Sequence, residues 1–442
     1  MIQRSNGYEA LRYYVRFGFW LTYKRIIVNG RENIPADKPI IFAANHQNAL
    51  MDPLAVVCTN PLQILWLARA DIFKSKASRS FLKFCKMIPI YRIRDGKENL
   101  SNNEEIFSQV THVLENKGSV ALFPEAAHSG KRQMLPHKKA IPRIALESEE
   151  KNNFQLGLQI VPVGIYYDHY WNFNRTLIVN YGEPIEIDSY KVRYTENPQN
   201  TMLLLRDEIN KNLSPLTLQI NSIDSYQDFE NIRTIAGKAY AQKLFSNKYT
   251  VNQLFMAEQE LIAKLEQLEV NQPEKFETIK QKTNNYLSAI KKEGVTDDLL
   301  DKAANASYLK LCLQFLLSVL SLPIFAFGFL FNALPYFLPR KVFARKVRDP
   351  AFLSTFIFAS GLVLFPLFYL LESGILWIST GSFPIAGISL LAMPFAGKIA
   401  FNLLQLYQNL AQSVRLRYIR TTHFNKCKNL RAEVFNNIDF LR

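Results

Sequence analysis

The sequence predicts an α/β fold with a mixed, largely parallel sheet flanked by helices, followed by a helical region and by C-terminal transmembrane helices. Over about the first 195 residues, short apolar runs alternate with polar segments of helical period, a pattern typical of repeated β–α units. Further along, three runs that are each long enough to cross a bilayer contain no charged residue. With 442 residues, the chain can fold both parts around cores of their own.

Five apolar runs in the N-terminal part predict buried strands. They are KPIIFAA, QILWLA, GSVALFP, LQIVPVGIYY and RTLIVNYG, in chain order. Nearly continuous apolar runs are typical of strands that are covered on both faces. Ahead of them, EALRYYVRFGFWLTYKR mixes aromatic with basic residues, which suits either a helix in the lipid headgroup region or an amphipathic helix packed on the domain.

Composition divides the chain into four parts. Residues 196–306 are rich in Lys, Glu, Gln and Asn with apolar residues at helical spacing, so we expect three to five amphipathic helices, punctuated by Pro273 and Gly294. The predicted parts are an α/β domain with a membrane-associated N-terminal helix (1–195), a helical spacer or partner region (196–306), a transmembrane or re-entrant region (307–400) and a basic cytoplasmic tail (401–442).

The uncharged runs leave two membrane topologies open. They are Leu311–Pro339, Ala351–Leu371 and Ser373–Gly397. If all three span, the basic segment PRKVFARKVRD and the basic tail lie opposite the N-terminal domain, against the positive-inside tendency. We favour a re-entrant first run broken near Pro323, with the last two runs joined through Glu372-Ser373-Gly374 as one transmembrane hairpin. Every basic segment then stays on the cytoplasmic side.

The formal net charge of +15 predicts an anionic partner, which could be nucleic acid, a phosphorylated metabolite or an anionic membrane. No nucleic-acid-binding module appears in the sequence, and much of the positive charge flanks the apolar runs, so nucleic acid is not expected. The four cysteines form no CxxC pair and none has a histidine at metal spacing. Free thiols in a reducing compartment, and no metal site, are therefore expected.

One histidine stands out in the segment NHQNALMDP, residues 45–53, which directly follows a predicted strand. His46 precedes Asp52 by six positions, and a turn or first helical turn after the strand would bring the carboxylate back to the imidazole. An aspartate there would fix the tautomer and stabilise the protonated ring. Because the ordinary pKa of a histidine side chain is about 6.5, His46 is a candidate general base.

Two later segments carry candidate contacts for an anionic substrate. IPIYRIRDG presents Arg92 and Arg94 on one face if the chain is extended, and a guanidinium binds a phosphate through two hydrogen bonds. In GSVALFPEAAHSGKRQMLPHKK, a buried strand delivers Glu125 at its C-terminal edge, where ligands bind in open α/β sheets, and Lys138 follows among other cations. Such a set suits a substrate that carries both hydroxyls and phosphate.

In this order the segments resemble the glycerolipid acyltransferase family, the enzymes that build phosphatidic acid. NHQNALMD is similar to the family's NH(x)₄D box, IPIYRIR to its arginine box, LFPEAAHS to its FPEG box, IVPVGIYY to its proline-bearing fourth box, and MLPHKKAIPRIA to its lysine segment. The resemblance covers about residues 20–190 and implies a fold like that of this family.

Three positions depart from the family pattern. Five residues, not four, separate His46 from Asp52, which resembles a branch that includes fungal-type glycerol-3-phosphate acyltransferases. Ala126 replaces the usual glycine, and alanine costs roughly 1 kcal/mol or more if that position needs a positive φ. His137 stands where phenylalanine is common.

The resemblance implies direct acyl transfer, in which His46 takes the proton of a glycerol hydroxyl as that oxygen attacks an acyl thioester, and Asp52 orients His46. The further site residues it implies are Arg92, Arg94 and Lys138 for the acceptor phosphate, Glu125 for the acceptor hydroxyls, and Asn45, Pro124 and Pro162 for the shape of the site. No cofactor is implied, because acyl-CoA or acyl carrier protein serves as donor substrate. The other implied partners are a phosphorylated glycerol acceptor and anionic membrane lipid.

Two other functions stay open on the sequence. The acceptor could be another lysolipid or an amino-acid lipid instead of glycerol-3-phosphate or 1-acyl-glycerol-3-phosphate. Alternatively, the protein could be a non-catalytic, membrane-anchored interaction protein that uses its central helices. For the enzyme, the expected location is the cell membrane, as an integral protein with the catalytic domain on the cytoplasmic face.

Overall fold

A computed structural model describes residues 5–92, 101–246, 248–347 and 349–438. The chain divides into two compact units. The first runs to Thr217 and also takes in Pro339–Leu362, whereas the second holds Leu218–Leu338 and the residues from Val363 onward. A later segment of the chain therefore returns to the first unit.

The first unit is built on one sheet of eight strands. The strands are β1 (Arg25–Asn29), β2 (Ile40–Ala44), β3 (Ile64–Arg69), β4 (Met87–Ile90), β5 (Ser119–Leu122), β6 (Gln159–Tyr167), β7 (Thr176–Tyr181) and β8 (Ile185–Glu186). Their order is β1-β7-β6-β2-β5-β3-β4, with β8 beside β6. Every pair is parallel except those that β6 makes with β7 and β8, so the mixed, largely parallel sheet is confirmed.

The apolar runs fill the centre of this sheet. Every residue of β2, β5 and β6 is buried, because side chains pack on both faces of these strands. Alternate positions of β2 enter opposite cores: Ile41 and Ala43 pack on one side, Ile40 and Phe42 on the other. All five predicted strands are present.

Two strands were not predicted, and one predicted extended run is short. The edge strand β1 is only half-buried and β8 has two residues, so neither has a long apolar run to mark it. In the segment IPIYRIRDG the strand β4 ends at Ile90. Arg92 follows that end, and Arg94 lies outside the described residues.

Helices cover both faces of the sheet. Those of the N-terminal part are α1 (Asn6–Thr22), α2 (Met51–Thr59), α3 (Lys76–Phe84), α4 (Asn102–Glu115), α5 (Ala140–Lys151), α6 (Lys191–Glu196) and α7 (Pro198–Leu213). Helix α7 buries Met202, Leu205 and Ile209 in the same core as Ile144. The first unit therefore extends past the boundary predicted at residue 195.

Helix α1 has two different faces. Phe19 is fully buried and packs edge-on against Phe358 with ring centroids 5.9 Å apart. Tyr13 and Trp20 are 61% and 47% exposed. The helix thus packs on the domain through one face and offers aromatic side chains on the other.

The rest of the chain is helical. The helices are α8 (Tyr226–Phe245), α9 (Val251–Asn271), α10 (Pro273–Glu293), α11 (Asp297–Asn305), α12 (Tyr308–Leu320), α13 (Leu322–Lys346), α14 (Pro350–Thr380), α15 (Phe383–Val414) and α16 (Thr421–Asn437). Pro273 opens α10, and Gly294 ends it with φ 67°, because proline suits a first helical turn and glycine a left-handed cap. The predicted number of helices between residues 196 and 306 agrees with α7 to α11.

Three helices are long and apolar enough to cross a membrane: Leu322–Lys346, Ala351–Thr380 and Phe383–Tyr418. The first uncharged run is broken at Ser321, between α12 and α13, so Pro323 lies in the first turn of α13, where its missing N–H costs nothing. The predicted break near Pro323 is confirmed. Whether this run re-enters or spans stays a prediction.

The predicted joint through Glu372-Ser373-Gly374 is wrong, since these residues lie inside the continuous helix α14. Glutamate is a good helix former, and one interior glycine costs only about 1 kcal/mol relative to alanine, so a charge and a glycine do not end this helix. The chain turns after Thr380 instead, where Gly381 adopts φ 63°, a conformation that favours glycine. Helix α15 then continues across residue 400, where the predicted cytoplasmic tail begins.

Candidate active site

The C-terminal ends of β2 and β5 bring two predicted residues together. These strands are parallel neighbours with Ala43 paired to Leu122, so the segments that follow them leave at the same edge of the sheet. His46 lies two residues past β2 and Glu125 three residues past β5. The backbone N–H of His46 donates to Glu125 Oε1 at 2.6 Å.

His46 and Asp52 form a close pair. His46 Nδ1 lies 2.9 Å from Asp52 Oδ2, and the Asp52 side chain is fully buried while that of His46 is 16% exposed. Asp52 is the second residue of α2, so the first helical turn returns the carboxylate to the ring, as predicted. Because Nδ1 faces Asp52, Nε2 is the ring nitrogen available to a substrate.

Asp52 is surrounded by donors. Oδ2 also accepts the backbone N–H groups of Gln47 and Asn48, both at 2.7 Å. Oδ1 accepts the hydroxyl of Tyr167 at 2.9 Å. Together with His46 Nδ1, these donors hold the carboxyl group of Asp52 in one orientation. A carboxylate held in this way fixes the imidazole tautomer and would stabilise the protonated ring.

The loop between His46 and Asp52 accommodates the additional residue by a local turn. Ala49 within it adopts φ 39°, and the N–H of Met51 donates to the Asn48 carbonyl at 2.9 Å. The wider spacing therefore does not separate the two side chains.

The imidazole is fixed from the other side by an aromatic ring. His46 stacks on Phe123 with ring centroids 3.9 Å apart and planes 8° apart. Phe123 directly follows β5, so the same strand end supplies both this stacking partner and Glu125. With Asp52 at Nδ1 and Phe123 at its face, the His46 ring has one defined orientation.

Asn45 joins the site to the sheet. Its side-chain Nδ2 donates to the Ile165 carbonyl at 3.1 Å, and its Oδ1 accepts the Ile165 N–H at 2.6 Å. Pro162 lies in the same strand β6, opposite Ala43 of β2. Asn45 is fully buried, so its amide fixes where the chain leaves the sheet just before His46.

The Glu125 side chain joins the loop that contains His46 to the segment that contains Leu135. It is only 2% exposed, and Oε2 accepts the N–H of Leu135 at 2.7 Å while Oε1 accepts that of His46. Burial raises the pKa of Glu125 to about 8, against the lowering effect of these two hydrogen bonds. Each oxygen already has a backbone partner, and its predicted contact with acceptor hydroxyls stays a prediction.

Comparison of this sequence with known protein families finds a match for part of the chain. Residues 25–166 match the sequence profile of the family described as Acyltransferase. The chain contains an acyltransferase domain. Glycerol-3-phosphate O-acyltransferase 2 of Saccharomyces cerevisiae is 28% identical over 135 residues, which are 30% of this chain and 18% of that protein. Glycerol-3-phosphate O-acyltransferase 1 of the same yeast is 26% identical over 142 residues, 31% of this chain and 19% of that protein.

A bacterial relative is matched over more of its length. The 1-acyl-sn-glycerol-3-phosphate acyltransferase of Borreliella burgdorferi is 25% identical over 220 residues, 48% of this chain and 81% of that protein. Among solved structures, the 1-acyl-sn-glycerophosphate acyltransferase PlsC of Thermotoga maritima covers 48% of this chain and 83% of its own, with 19% identity and a TM-score of 0.33. The matches to the yeast proteins span less than a fifth of their lengths.

The predicted phosphate contacts of the acyltransferase domain are spread along one edge of its sheet. Arg92 follows β4, three strands along from β2, which is about 14 Å at the usual strand spacing. Its Nη2 lies 3.9 Å from Asp71 Oδ2. Lys138 is exposed, and its N–H donates to the Pro124 carbonyl at 2.7 Å. The backbone of Lys138 is thus hydrogen-bonded to the segment that carries Glu125. No contact between the described side chains of Arg92 and His46 is seen.

Ala126 adopts φ 57°, so this position of the acyltransferase domain does have the left-handed conformation that glycine tolerates best. Its N–H donates to the Phe123 carbonyl at 3.2 Å, which closes the turn around Glu125. The alanine at this position therefore closes the turn in a strained backbone conformation.

Two side chains near the site were not predicted. Arg132 is buried, with its guanidinium 4.9 Å from the ring of Tyr166 and 5.2 Å from that of Tyr170. Tyr167 contacts Asp52 from the end of β6. Tyrosines in an apolar strand look like core residues in the sequence, so no local pattern marked Tyr167 as a partner of Asp52.

Residues at the start of α14 also reach the candidate site. Ser354 Oγ donates to Asn48 Oδ1 at 2.7 Å, and Leu50 N donates to Thr355 Oγ1 at 3.2 Å. Across residues 5–92, 101–246, 248–347 and 349–438, no group of three or more His, Cys, Asp or Glu side chains is arranged to hold a metal ion.

Proposed function

We propose that this protein is a membrane-bound O-acyltransferase that moves a fatty acyl chain from a thioester donor to a hydroxyl of glycerol-3-phosphate or 1-acyl-glycerol-3-phosphate. The observation that carries the proposal is the 2.9 Å contact between His46 Nδ1 and the buried Asp52. That pair stands in an acyltransferase domain and leaves Nε2 to act as a general base.

The proposed reaction is one acyl transfer without a covalent enzyme intermediate. His46 Nε2 takes the proton of the acceptor hydroxyl as its oxygen attacks the thioester carbonyl carbon. A carbon–oxygen bond forms, the carbon–sulfur bond breaks, and the imidazolium returns the proton to the departing thiolate. Asp52 stabilises the imidazolium in between, since a carboxylate at Nδ1 favours the protonated ring.

Phosphate recognition rests on the cationic side chains along the sheet edge. Lys138 is held beside the Glu125 turn through its N–H, and Arg92 lies at the end of β4. We propose that Lys138 and Arg92, together with Arg94, bind the acceptor phosphate, and that Glu125 positions its hydroxyls. The names of the yeast and Borreliella relatives support a phosphorylated glycerol as acceptor.

We propose that acyl-CoA or acyl carrier protein is the acyl donor. We also propose that the reaction takes place at the surface of a lipid bilayer. Three helices are apolar enough to span a membrane, and the start of α14 belongs to the same unit as His46. The net charge of +15 favours an anionic lipid surface, at about 1 kcal/mol for each Lys or Arg close to it. We place the catalytic domain on the cytoplasmic face of the cell membrane.

An acceptor panel tests the proposal. The full-length protein in lipid vesicles is incubated with labelled acyl-CoA or labelled acyl carrier protein and one acceptor at a time: glycerol-3-phosphate, 1-acyl-glycerol-3-phosphate, lysophosphatidylcholine or glycerol. We expect transfer to a phosphorylated glycerol monoester that His46→Ala abolishes. The exposed His112, on α4, supplies the matched control His112→Ala, which should keep full activity.

The other readings give different results. Transfer to lysophosphatidylcholine in preference to both phosphate monoesters would assign a different lysolipid acceptor. A folded protein that transfers to none of the four acceptors from either donor would refute the proposed acceptors and favour an interaction protein. Equal activity of the His46→Ala variant would refute the proposed base.

A further inference from the structure

Two hydroxyl groups near the start of α14 contact the loop that follows His46. The Ser354 hydroxyl donates to Asn48 Oδ1 at 2.7 Å, across 306 positions of the chain. One residue further along the helix, Thr355 Oγ1 accepts the Leu50 N–H at 3.2 Å. Both helix residues belong to the same compact unit as this loop. A helix from late in the chain is therefore hydrogen-bonded to the loop between the proposed base and its aspartate.

These two hydrogen bonds lie on either side of Ala49. Ala49 adopts φ 39°, a region of backbone conformation that residues other than glycine seldom occupy. It belongs to the loop of five residues between His46 and Asp52, one more than the family pattern has. A strained backbone persists only where its surroundings fix it. The contacts from α14 to Asn48 and Leu50 fix the residues next to the strained one.

Asn48 connects the helix to Asp52. Its side-chain Nδ2 donates to the Tyr170 carbonyl at 3.2 Å, so with Ser354 at Oδ1 its amide has one orientation. The backbone N–H of Asn48 donates to Asp52 Oδ2 at 2.7 Å, and His46 Nδ1 lies 2.9 Å from the same oxygen. Only one residue, Asn48, thus lies between the helix and the carboxyl group that orients the imidazole.

The start of α14 is fixed to the first unit at other points as well. Asp349, which immediately precedes the helix, has its Oδ2 3.0 Å from His128 Nε2, across 221 positions of the chain. Further along, Phe358 meets Phe19 of α1 edge-on with ring centroids 5.9 Å apart. These contacts lie before and after the two hydroxyls, so the helix presents them to the loop from a fixed position.

The contact with the loop falls at one end of a candidate membrane span. The apolar part of α14 runs from Ala351 to Thr380, so Ser354 and Thr355 are its fourth and fifth residues. Because an α-helix rises 1.5 Å per residue, both hydroxyls lie within about 6 Å of the residue at which the span begins. The segment that contacts the loop is thus the end of the span nearest to the acyltransferase domain.

We propose that Ser354 and Thr355 are positioning residues for the proposed acyl transfer. They hold the loop 47–51 in the conformation in which Asp52 orients the imidazole of His46. The inference rests on the proposed function and adds to it a role for α14, which lies outside the matched residues 25–166. The additional residue of the loop then brings two hydrogen-bonding groups to the helix. Helix α14 supports the proposed base as well as anchoring the protein.

Steady-state kinetics of the full-length protein in lipid vesicles test the inference. We expect Ser354→Ala and Thr355→Val each to lower kcat about threefold to tenfold, as for the loss of one hydrogen bond. The KM values for acyl-CoA and for the phosphorylated glycerol should stay within about twofold of the wild type, because neither side chain contacts a substrate in this proposal. Thr355→Ser keeps the hydroxyl and should keep the wild-type kcat.

A serine of the same helix supplies the matched control. The Ser360 hydroxyl donates to the Phe356 carbonyl of its own helix at 2.6 Å, so Ser360→Ala should leave kcat unchanged. The double variant of Ser354→Ala and Asn48→Ala should have the same kcat as Asn48→Ala, because Ser354 acts through Asn48. Additive losses in that double variant, a raised KM with unchanged kcat, or an equal loss in Ser360→Ala or Thr355→Ser would overturn the inference.

Amide hydrogen exchange separates this inference from the proposed function. Ser354→Ala removes no backbone hydrogen bond of the loop. We nevertheless expect the N–H groups of Gln47 and Asn48, which donate to Asp52, to exchange about threefold to tenfold faster in this variant. If the exchange is faster and the wild type transfers no acyl chain, the proposed function fails and the support from α14 stands. Exchange equal to the wild type, or faster exchange with an unchanged kcat in an active protein, refutes the inference.

Discussion

The hydroxyl of Tyr167 donates to Asp52 Oδ1 at 2.9 Å, from a residue 115 positions away in the chain. Both side chains are fully buried. Since Asp52 Oδ2 already receives the imidazole and two backbone N–H groups, Tyr167 is the donor that satisfies the other oxygen. The orientation of His46 thus depends on the last residue of β6.

Removing that donor should weaken both the fold and the proposed catalysis. In Tyr167→Phe a buried carboxylate oxygen loses its partner, which we expect to cost about 1.5–3 kcal/mol of unfolding free energy. We expect kcat to fall while both KM values stay near those of the wild type. Unfolding in detergent and steady-state rates measure the two effects.

Tyr181→Phe is the matched control for this change. Tyr181 is also buried and its hydroxyl lies 2.8 Å from Thr59 Oγ1. Its loss should lower stability without a specific loss of kcat. Equal kcat losses in the two variants would contradict the role given to Tyr167.

The pH dependence of stability should carry a contribution from Glu125. Burial raises its pKa from 4.5 in the unfolded chain to about 8 in the fold, so the folded state holds the proton more tightly. This stabilisation is complete below pH 4.5 and is lost as the pH rises to about 8, with a slope of about 1.4 kcal/mol per pH unit. Glu125→Gln should remove that slope, which unfolding curves between pH 5 and pH 8 would show.

The same substitution should also lower stability at acidic pH. An amide offers one acceptor oxygen, so either the His46 N–H or the Leu135 N–H loses its partner. An exposed carboxylate supplies the control: Glu147→Gln, on α5, should leave the slope intact. A wild-type slope that survives in Glu125→Gln would assign the titration to another group.

His137 should make the fold sensitive to acid. Burial, with a smaller effect of Arg206, lowers its pKa from 6.5 to about 4, so this stabilisation is complete above pH 6.5 and is lost as the pH falls towards 4. Neither of its buried ring nitrogens has a hydrogen-bond partner within the described part of the chain.

His137→Phe should therefore stabilise the protein, by about 1–3 kcal/mol for the unpaired polar atoms it removes, and more at pH 5 than at pH 7. Thermal unfolding at the two pH values measures this. His112→Phe, at an exposed position, should show neither effect. A destabilised His137→Phe variant at both pH values would mean that the site rejects the larger ring.

Ala126→Gly should relieve backbone strain. Ala126 adopts φ 57°, and glycine should stabilise that conformation by roughly 1 kcal/mol. Gly130→Ala is the reciprocal test, because Gly130 adopts φ 66° and no atom lies within 4 Å of an added Cβ. The midpoints of thermal unfolding should move in opposite directions, and a fall in both would refute the strain at Ala126.

Much of the first unit could be predicted from the sequence because burial on both faces makes its central strands continuous apolar runs. The pairing of His46 with Asp52 was predictable for a related reason, since both lie in one turn after such a strand. Asp349 and Tyr167 were not predictable, because the contacts that join them to the site span 221 and 115 positions and no local pattern marks them.

The helical part shows where local patterns fail. Glu372 interrupts an apolar run and so suggests a turn, but a single carboxylate does not break the hydrogen bonds of a helix. The chain instead turns at Gly381 and Ser382, between α14 and α15. The left-handed backbone conformation of Gly381, and not a charge, ends helix α14. The extension of the first unit to α7 was also missed. The polar face of α7 resembles those of the helices that follow it, so composition alone assigned α7 to the next region.

The side chain of Asn45 reproduces a peptide group, with one donor and one acceptor facing Ile165. Hydrolysis of this single amide to a carboxylate would replace the donor by an anion pressed against a carbonyl oxygen. The hydrogen bonds between the Asn45 side chain and Ile165 of β6 would then be disrupted. We expect the chain to leave the sheet at a different angle as a result. The integrity of the candidate site therefore depends on the chemical stability of one side-chain amide, that of Asn45, next to the proposed base.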